Sequence, residues 1–474
     1  MTAERNALSA LSAVDGRYHK TGAKLSPFFS ELALIHYRIY MQVQYLIALS
    51  EDEEVPLRKF TDEERAILFT LSLTFPEDVE VIKAIETTGY AGIKATKHDV
   101  VAVITYLREK LKGTTLADVV EWVHFGLTSE DCNNISYALM LRDVVRGVLY
   151  PSMKHIVETL DELAGQYASV PMLARTHGQP ATPTTLGKEL RVFHERLRRQ
   201  LEQLENFKIL VKLNGASGNY CAHVAALPEI DWHSFAEDFI LSFNEVSSFN
   251  EEGAGPLEFE RNPLTTQIEP HDTYAELFQI FTRFNTILID LSQDLWRYVS
   301  DGWLVQKAVE GEVGSSAMPH KVNPIDLENA EGNFGFANAM LEFFCRKLPI
   351  SRLQRDLSDS TVERNFGLAL GHCLIGYEAI LRGMGKISAN EKAIAEALDE
   401  SPEVLAEAYQ TILRAAGYAD AYSMLKELTR GREINRRHLR DFVDTIRVPD
   451  EVRAQLMALD PSNYVGLAAE LARE

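Results

Sequence analysis

The chain has 474 residues, 46% of them hydrophobic and 25% charged, which is too long for one core and too apolar for disorder. Its 48 basic residues against 69 acidic ones leave a net charge of -21, which argues against generic binding to nucleic acid or to an anionic membrane. A small anionic ligand stays open, because near charges set the field in a pocket while distant ones are screened over roughly 8–10 Å.

The first residues, MTAERNALSA, contain no apolar core of signal-peptide length, and no apolar run reaches the roughly 18 residues of a membrane helix. Cys132, Cys221, Cys345 and Cys373 are widely spaced, without a CxxC pair or a metal-ligand rhythm, and read as reduced thiols. A cytoplasmic location is therefore expected. Residues 1–113 are expected to form an N-terminal helical domain. A central domain, 114–386, is marked by apolar residues stepping by three and four. Met153, Ile156, Leu160, Leu163 and Tyr167 make one such seam. A second runs through Leu186, Leu190, Phe193, Leu197, Leu201, Leu204, Phe207 and Val211, roughly seven turns at 3.6 residues each. Phe281, Phe284, Leu288, Leu291, Leu295 and Tyr298 make a third, and Phe366, Leu370, Cys373, Tyr377, Ile380 and Met384 a fourth.

Helices of this length need partners along most of their surface. Alternating two-residue patterns are scarce, so the predicted class is all-α with a long central helical bundle. RTHGQPATPTT (175–185), NPLTTQIEPHD (262–272) and the start of GEVGSSAMPHKVNPIDLENAEGN (311–333) read as loops between the helices, being rich in Gly, Pro, Ser and Asn. NEVSSFNEEGAGPLEFER (244–261) reads as an acidic surface insertion. Shorter, charge-rich helices are expected in a C-terminal domain, 387–474.

The unusual residues sit in the loops, where ligand chemistry often resides. Gly314, Ser315 and Ser316 let the backbone approach a ligand, and consecutive N–H groups there form a nest for an anion. Lys321 and Asn323 add a cation and a neutral donor. The plain alternative is a surface loop, with Asn323 and Asp326 starting the next helix. His177, in a polar loop before a long helix, is placed either to exchange a proton near neutral pH or simply to be hydrogen-bonded. His98 in Lys97-His98-Asp99 and His124 in HFGLTSEDCNN are equally open to a helix-end role. Arg355, Arg364 and Arg17 match phosphate oxygens bidentately, though exposed arginines are commonly just solvated.

Taken together, VDGRY (14–18), HFGLTSEDCNN (124–134), RTHGQPATPTTLGKE (175–189), TTQIEPHD (265–272) and GSSAMPHKVNP (314–324) resemble the adenylosuccinate lyase family of the fumarase/aspartase superfamily. Pro-His-Lys inside the serine loop, with THGQPAT upstream, separates that branch from fumarase, aspartase and argininosuccinate lyase; the alternative reading is argininosuccinate lyase or another lyase of the same superfamily. The resemblance implies elimination of fumarate from a succinylamino purine nucleotide or its imidazole precursor. The catalytic pair it implies is Ser315 as carbon base and His177 as proton donor. Arg17, Tyr18, Arg355, Ser360 and Arg364 then fall to the phosphate, with His98 and Asp99 around it. Thr128, Ser129, Gln267, Ser316, Lys321, Asn323 and Asn329 fall to the succinyl carboxylates. Lys97, Val322, Thr361, Val362 and Glu363 belong to the same binding segments. The resemblance further implies no metal or organic cofactor, no nucleic-acid or membrane partner, and a homotetramer whose active sites are shared between subunits.

Overall fold

A computed structural model of the chain describes residues 6–245, 255–307, 317–318, 320–429 and 435–474. Ser315 and Ser316, and residues 246–254 of the acidic stretch 244–261, lie outside the described residues. Among the described residues helices dominate, and strands occur only as three two-stranded ladders, so the all-α class holds. No helix among them is long and apolar enough to cross a membrane. The chain divides into two compact units, Met1–Met153, Gln200–Thr286 and Asn333–Gly376 in one, and Lys154–Arg199, Ile287–Gly332 and Tyr377–Glu474 in the other.

In the first unit, the helix Glu31–Glu51 packs on Ser129–Val144. Local chemistry sets the helix starts: Ser30 Oγ accepts the Ala33 N–H at 3.1 Å, and Thr61 and Glu64 exchange the two bonds of a capping box at the start of Asp62–Ser72. Ser129–Val144 is buried on every face from Glu130 onward, although it carries Glu130, Asp131, Asn133, Asn134, Arg142 and Asp143. A helix so placed must satisfy its polar groups within the protein. Asp143 accordingly takes bonds from Arg142 and from the Tyr37 hydroxyl, at 2.8 and 2.9 Å, while the Asn134 amide holds both the N–H and the carbonyl of Lys212. Phe278, Phe344 and Tyr274 surround Phe366 at ring distances of 4.9, 5.4 and 5.9 Å, which anchors the end of the segment 355–364 just before it.

The predicted seam 186–211 is shorter than its apolar spacing suggests. The helix Leu186–Glu205 ends before Phe207, and Lys208–Val211 is a strand running parallel to Glu258–Arg261. Ile209 and Val211 are buried there while Lys208 is exposed, a two-residue period that the three-and-four count absorbed.

In the second unit, Pro171–Thr176 and Gln179–Thr185 form an antiparallel hairpin, so the predicted loop 175–185 is corrected to two strands. Its Pro- and Thr-rich composition imitates a loop, yet Pro is tolerated on the edges of a two-stranded ladder. Leu304–Gln306 pairs with Ile387–Ala389, and Asn390 Nδ2 donates to the Gly302 carbonyl at 3.0 Å beside it. The last helices gather around Leu405, Tyr409, Leu413, Leu425, Leu439, Val443 and Leu456.

Candidate active site

Most of the predicted binding residues fall in the first unit. The start of the helix Ser129–Val144 presents Thr128 and Ser129, both half-buried. Asp131 Oδ2 accepts the Thr128 N–H at 2.8 Å, fixing the turn that precedes the helix. The other oxygen of Asp131 accepts the N–H groups of Asn214 and Gly215, at 3.0 and 3.3 Å, and pairs with Lys212 Nζ at 2.9 Å. Lys212 in turn donates to the carbonyls of Gly215 and Gln267, at 3.0 and 2.8 Å. One buried ion pair therefore sets Thr128 and Gln267 relative to each other, and both partners are completely shielded from solvent.

Arg355 lies beside Gln267, with Nη1 3.4 Å from Oε1 of the amide. Its Nη2 is 2.9 Å from Glu130 and its Nε 3.7 Å from Asp359, both carboxylates being buried. Asp359 also accepts the Ser360 N–H, at 2.6 Å. Arg364 bridges Asp99 at 2.8 Å and Glu31 at 3.1 Å, and the buried Arg38 reaches Asp99 at 2.9 Å. Burial opposes ionisation of Asp99, but Arg38 and Arg364 hold its carboxyl below the usual range. His98 caps the helix Asp99–Lys112 by accepting the Val101 N–H, and it stays largely exposed. Lys97 has a left-handed φ of 55° and donates to the Thr87 carbonyl. Arg17 is exposed and Tyr18 half-buried at the start of the short helix His19–Gly22. Thr361 is exposed, while Val362 and Glu363 are buried in the helix Ser358–Glu363.

In the second unit, His177 and Gly178 form the two-residue turn of the hairpin, with φ of 54° and 76°. Left-handed conformation at both central positions is what this turn requires, and Gly178 meets it without strain. His177 stands exposed at the tip. Lys321 and Val322 are exposed, and Asn323 half-buried, just ahead of the helix Ile325–Lys347, on whose first turns Asn329 is half-buried.

Reading the sequence grouped Glu130 with His124, Gly126, Thr128 and Ser129 in HFGLTSEDCNN without giving it a role, and overlooked Asp131, Lys212, Asp359 and His271. His271, at the end of TTQIEPHD, is wholly buried, its Nε2 3.4 Å from Glu363. Burial opposes its charge, yet Glu363 beside it, with Glu269 and Glu130, pushes its pKa up to about 9. Burial and the field of Glu363 push Glu130 up to about 7 against the pull of Arg355. Glu130, His271 and Glu363 bring ligand atoms within 4.8 Å of one another, a spacing that also suits a cation, but the Arg355 guanidinium already occupies that role beside Glu130. The one signal available in the sequence was the density of polar residues in SEDCNN, ahead of a run, ISYALMLRDVV, too apolar all round to be a surface helix.

Residues 16–337 match the family model described as Lyase. The fold is also that of 3-carboxy-cis,cis-muconate lactonizing enzyme from Pseudomonas putida, which aligns over 94% of each chain with a TM-score of 0.68 at 19% identity. Fold and model together make this a lyase of the fumarase/aspartase type. Residues 351–465 match the model described as Adenylosuccinate lyase C-terminal. The adenylosuccinate lyase of Vibrio cholerae is 45% identical over 473 residues, 99% of both chains, and that of Legionella pneumophila 46% over 470 residues, 98% of both. The chain belongs to the adenylosuccinate lyase family.

Proposed function

We propose that the protein catalyses the elimination of fumarate from adenylosuccinate, giving AMP, and from the succinylated aminoimidazole-carboxamide ribotide, giving the free carboxamide ribotide. The observation that carries this reading is the 45% identity to an adenylosuccinate lyase across 99% of the chain. The C-terminal match disfavours argininosuccinate lyase. The decisive assay follows fumarate release from adenylosuccinate and from argininosuccinate side by side. Activity on argininosuccinate alone would overturn the assignment.

The reaction removes a proton from a carbon beside a carboxylate and expels a purine-type nitrogen. The carbon acid is weak, so its base must be paired with donors that stabilise the second charge developing on the carboxylate. Ser315 is assigned as the base, with Lys321 and backbone N–H groups lowering its pKa, and His177 protonates the departing nitrogen. Thr128, Ser129, Gln267, Ser316, Lys321, Asn323 and Asn329 hold the succinyl carboxylates. Arg17, Tyr18, Arg355, Ser360 and Arg364 hold the phosphate. Proton transfer activates the leaving group and no electron changes hands, so the chemistry itself calls for no metal or organic cofactor.

The active form is assigned as a cytoplasmic homotetramer with shared sites. Two observations support the assembly. The acid His177 stands exposed on a hairpin tip. Phe336, Phe343 and Ile350 recur every seven residues and stay 55%, 47% and 67% exposed, the kind of surface a symmetric partner covers. Mixing inactive His177→Ala and Ser315→Ala proteins under complete subunit exchange should restore about a quarter of wild-type sites, since random pairing leaves that share with both residues intact. Exchange without recovery would place both residues on one chain.

A further inference from the structure

Behind Arg355 lies a set of ionisable side chains that the reaction itself does not use. Glu130, Asp359, Glu363 and His271 are each 3% exposed or less, and they come from three separate stretches of the first unit. Glu130 and Asp359 flank the guanidinium on its Nη2 and Nε sides, at 2.9 and 3.7 Å, which leaves Nη1 on the side of Gln267. His271 stands behind, 3.4 Å from Glu363, with its backbone N–H held by Glu269 at 2.7 Å and its ring stacked on Tyr274 at 5.3 Å. Glu130 Oε1, both ring nitrogens of His271, Glu363 Oε1, Arg355 Nε and Asp359 Oδ2 are buried without a hydrogen-bond partner. Charge therefore holds this group together more than directed hydrogen bonds do. Buried polar atoms normally find partners, and a set of them left open around one arginine marks orientation gained at the expense of stability.

A free arginine side chain gives up most of its rotamer entropy when it is fixed on a ligand. A guanidinium already gripped along two edges has surrendered that freedom on folding, so less is lost when an anion binds. We infer that Glu130 and Asp359, backed by the His271–Glu363 pair, are positioning residues that preorganise Arg355 and thereby set the preference for a substrate carrying a 5′-phosphate. This rests on the reading that Arg355 contacts the phosphate. His271 has a distinct part in it: without a second cation, three carboxylates would face a single guanidinium and repel the anion it is meant to hold.

The test compares turnover of adenylosuccinate with that of its 5′-dephosphorylated nucleoside in single and double variants. Glu130→Ala should raise the apparent KM for the nucleotide on the order of tenfold and lower the nucleotide preference by the same factor. Glu130→Gln, which keeps the shape of the side chain but removes its charge, should show a loss of the same kind, since the contact to Nη2 is an ion pair. In an Arg355→Ala background, Glu130→Ala should cause no further loss of preference, because it acts only through the arginine. Should Glu130→Ala not fold, Asp359→Asn removes charge from the other side of the grip and should show the same selective loss. If Arg355→Ala leaves the preference whole, the phosphate reading itself has failed. If Arg355→Ala abolishes the preference while Glu130→Ala or Asp359→Asn leaves it whole, or improves nucleotide binding by relieving charge, the positioning role is overturned and the phosphate reading stands.

Discussion

Replacing Lys212 by Met should damage both stability and substrate affinity, through a pair of charges that never meets solvent. Lys212 Nζ lies 2.9 Å from Asp131 and donates to the carbonyls of Gly215 and Gln267. Methionine fills nearly the same volume, so little cavity results, and the loss is electrostatic. Asp131 would keep its three backbone N–H donors, from Thr128, Asn214 and Gly215, but no counter-charge. Breaking a buried ion pair by removing one partner costs about 3–5 kcal/mol. At about 2 °C per kcal/mol for a cooperative unit of a few hundred residues, the melting temperature should fall on the order of 6–10 °C. Asp131→Asn added to Lys212→Met removes the stranded charge and should recover roughly half of that loss, since the two residues are coupled. Thermal melts followed by circular dichroism measure both effects. Fumarate-release kinetics should show a raised KM, because the Gln267 carbonyl and the Thr128 turn lose their common anchor. A Lys212→Met protein melting within a degree or two of wild type, or a double variant whose losses simply add, would refute the reasoning.

Three further outcomes are expected. His177→Ala should lose on the order of 10²–10⁴ in rate, the usual contribution of a positioned acid, and a loss of only a few-fold in fumarate release would return His177 to a structural role. His271, with a folded pKa raised from 6.5 to about 9, contributes stability that is fully present below pH 6.5 and lost as pH climbs through 9, at most roughly 3 kcal/mol. Melting temperature should therefore fall more steeply between pH 6.5 and 9 in wild type than in His271→Gln, and parallel profiles would contradict the assignment. Gly126→Ala should melt lower by circular dichroism, because its Cβ would stand 2.6 Å from the His223 ring at a φ of +71°, and an unchanged melt would show that His223 moves aside freely.

Helix class was legible because its signal is local. Phe281, Phe284, Leu288, Leu291 and Leu295 were grouped by spacing alone, and all five are buried; the same holds from Phe366 to Met384. Short motifs were legible for the same reason, since THGQ and TTQIEPHD are runs of neighbouring residues that resemble a family without any knowledge of the fold. What spacing could not give was the end of the helix at Glu205, where Ile209 and Val211 continue an apolar rhythm while the backbone turns to strand. Nor could composition tell a loop from a hairpin at 175–185, because the difference is two positive φ angles at His177 and Gly178. The buried charges were the least legible of all. Glu130 and Asp131 look like an ordinary polar helix start until Arg355 and Lys212 are brought to them from far along the chain. A charge becomes tolerable inside a protein only when its partner arrives, and the arrival of a distant partner is a property of the tertiary structure, not of the residues on either side.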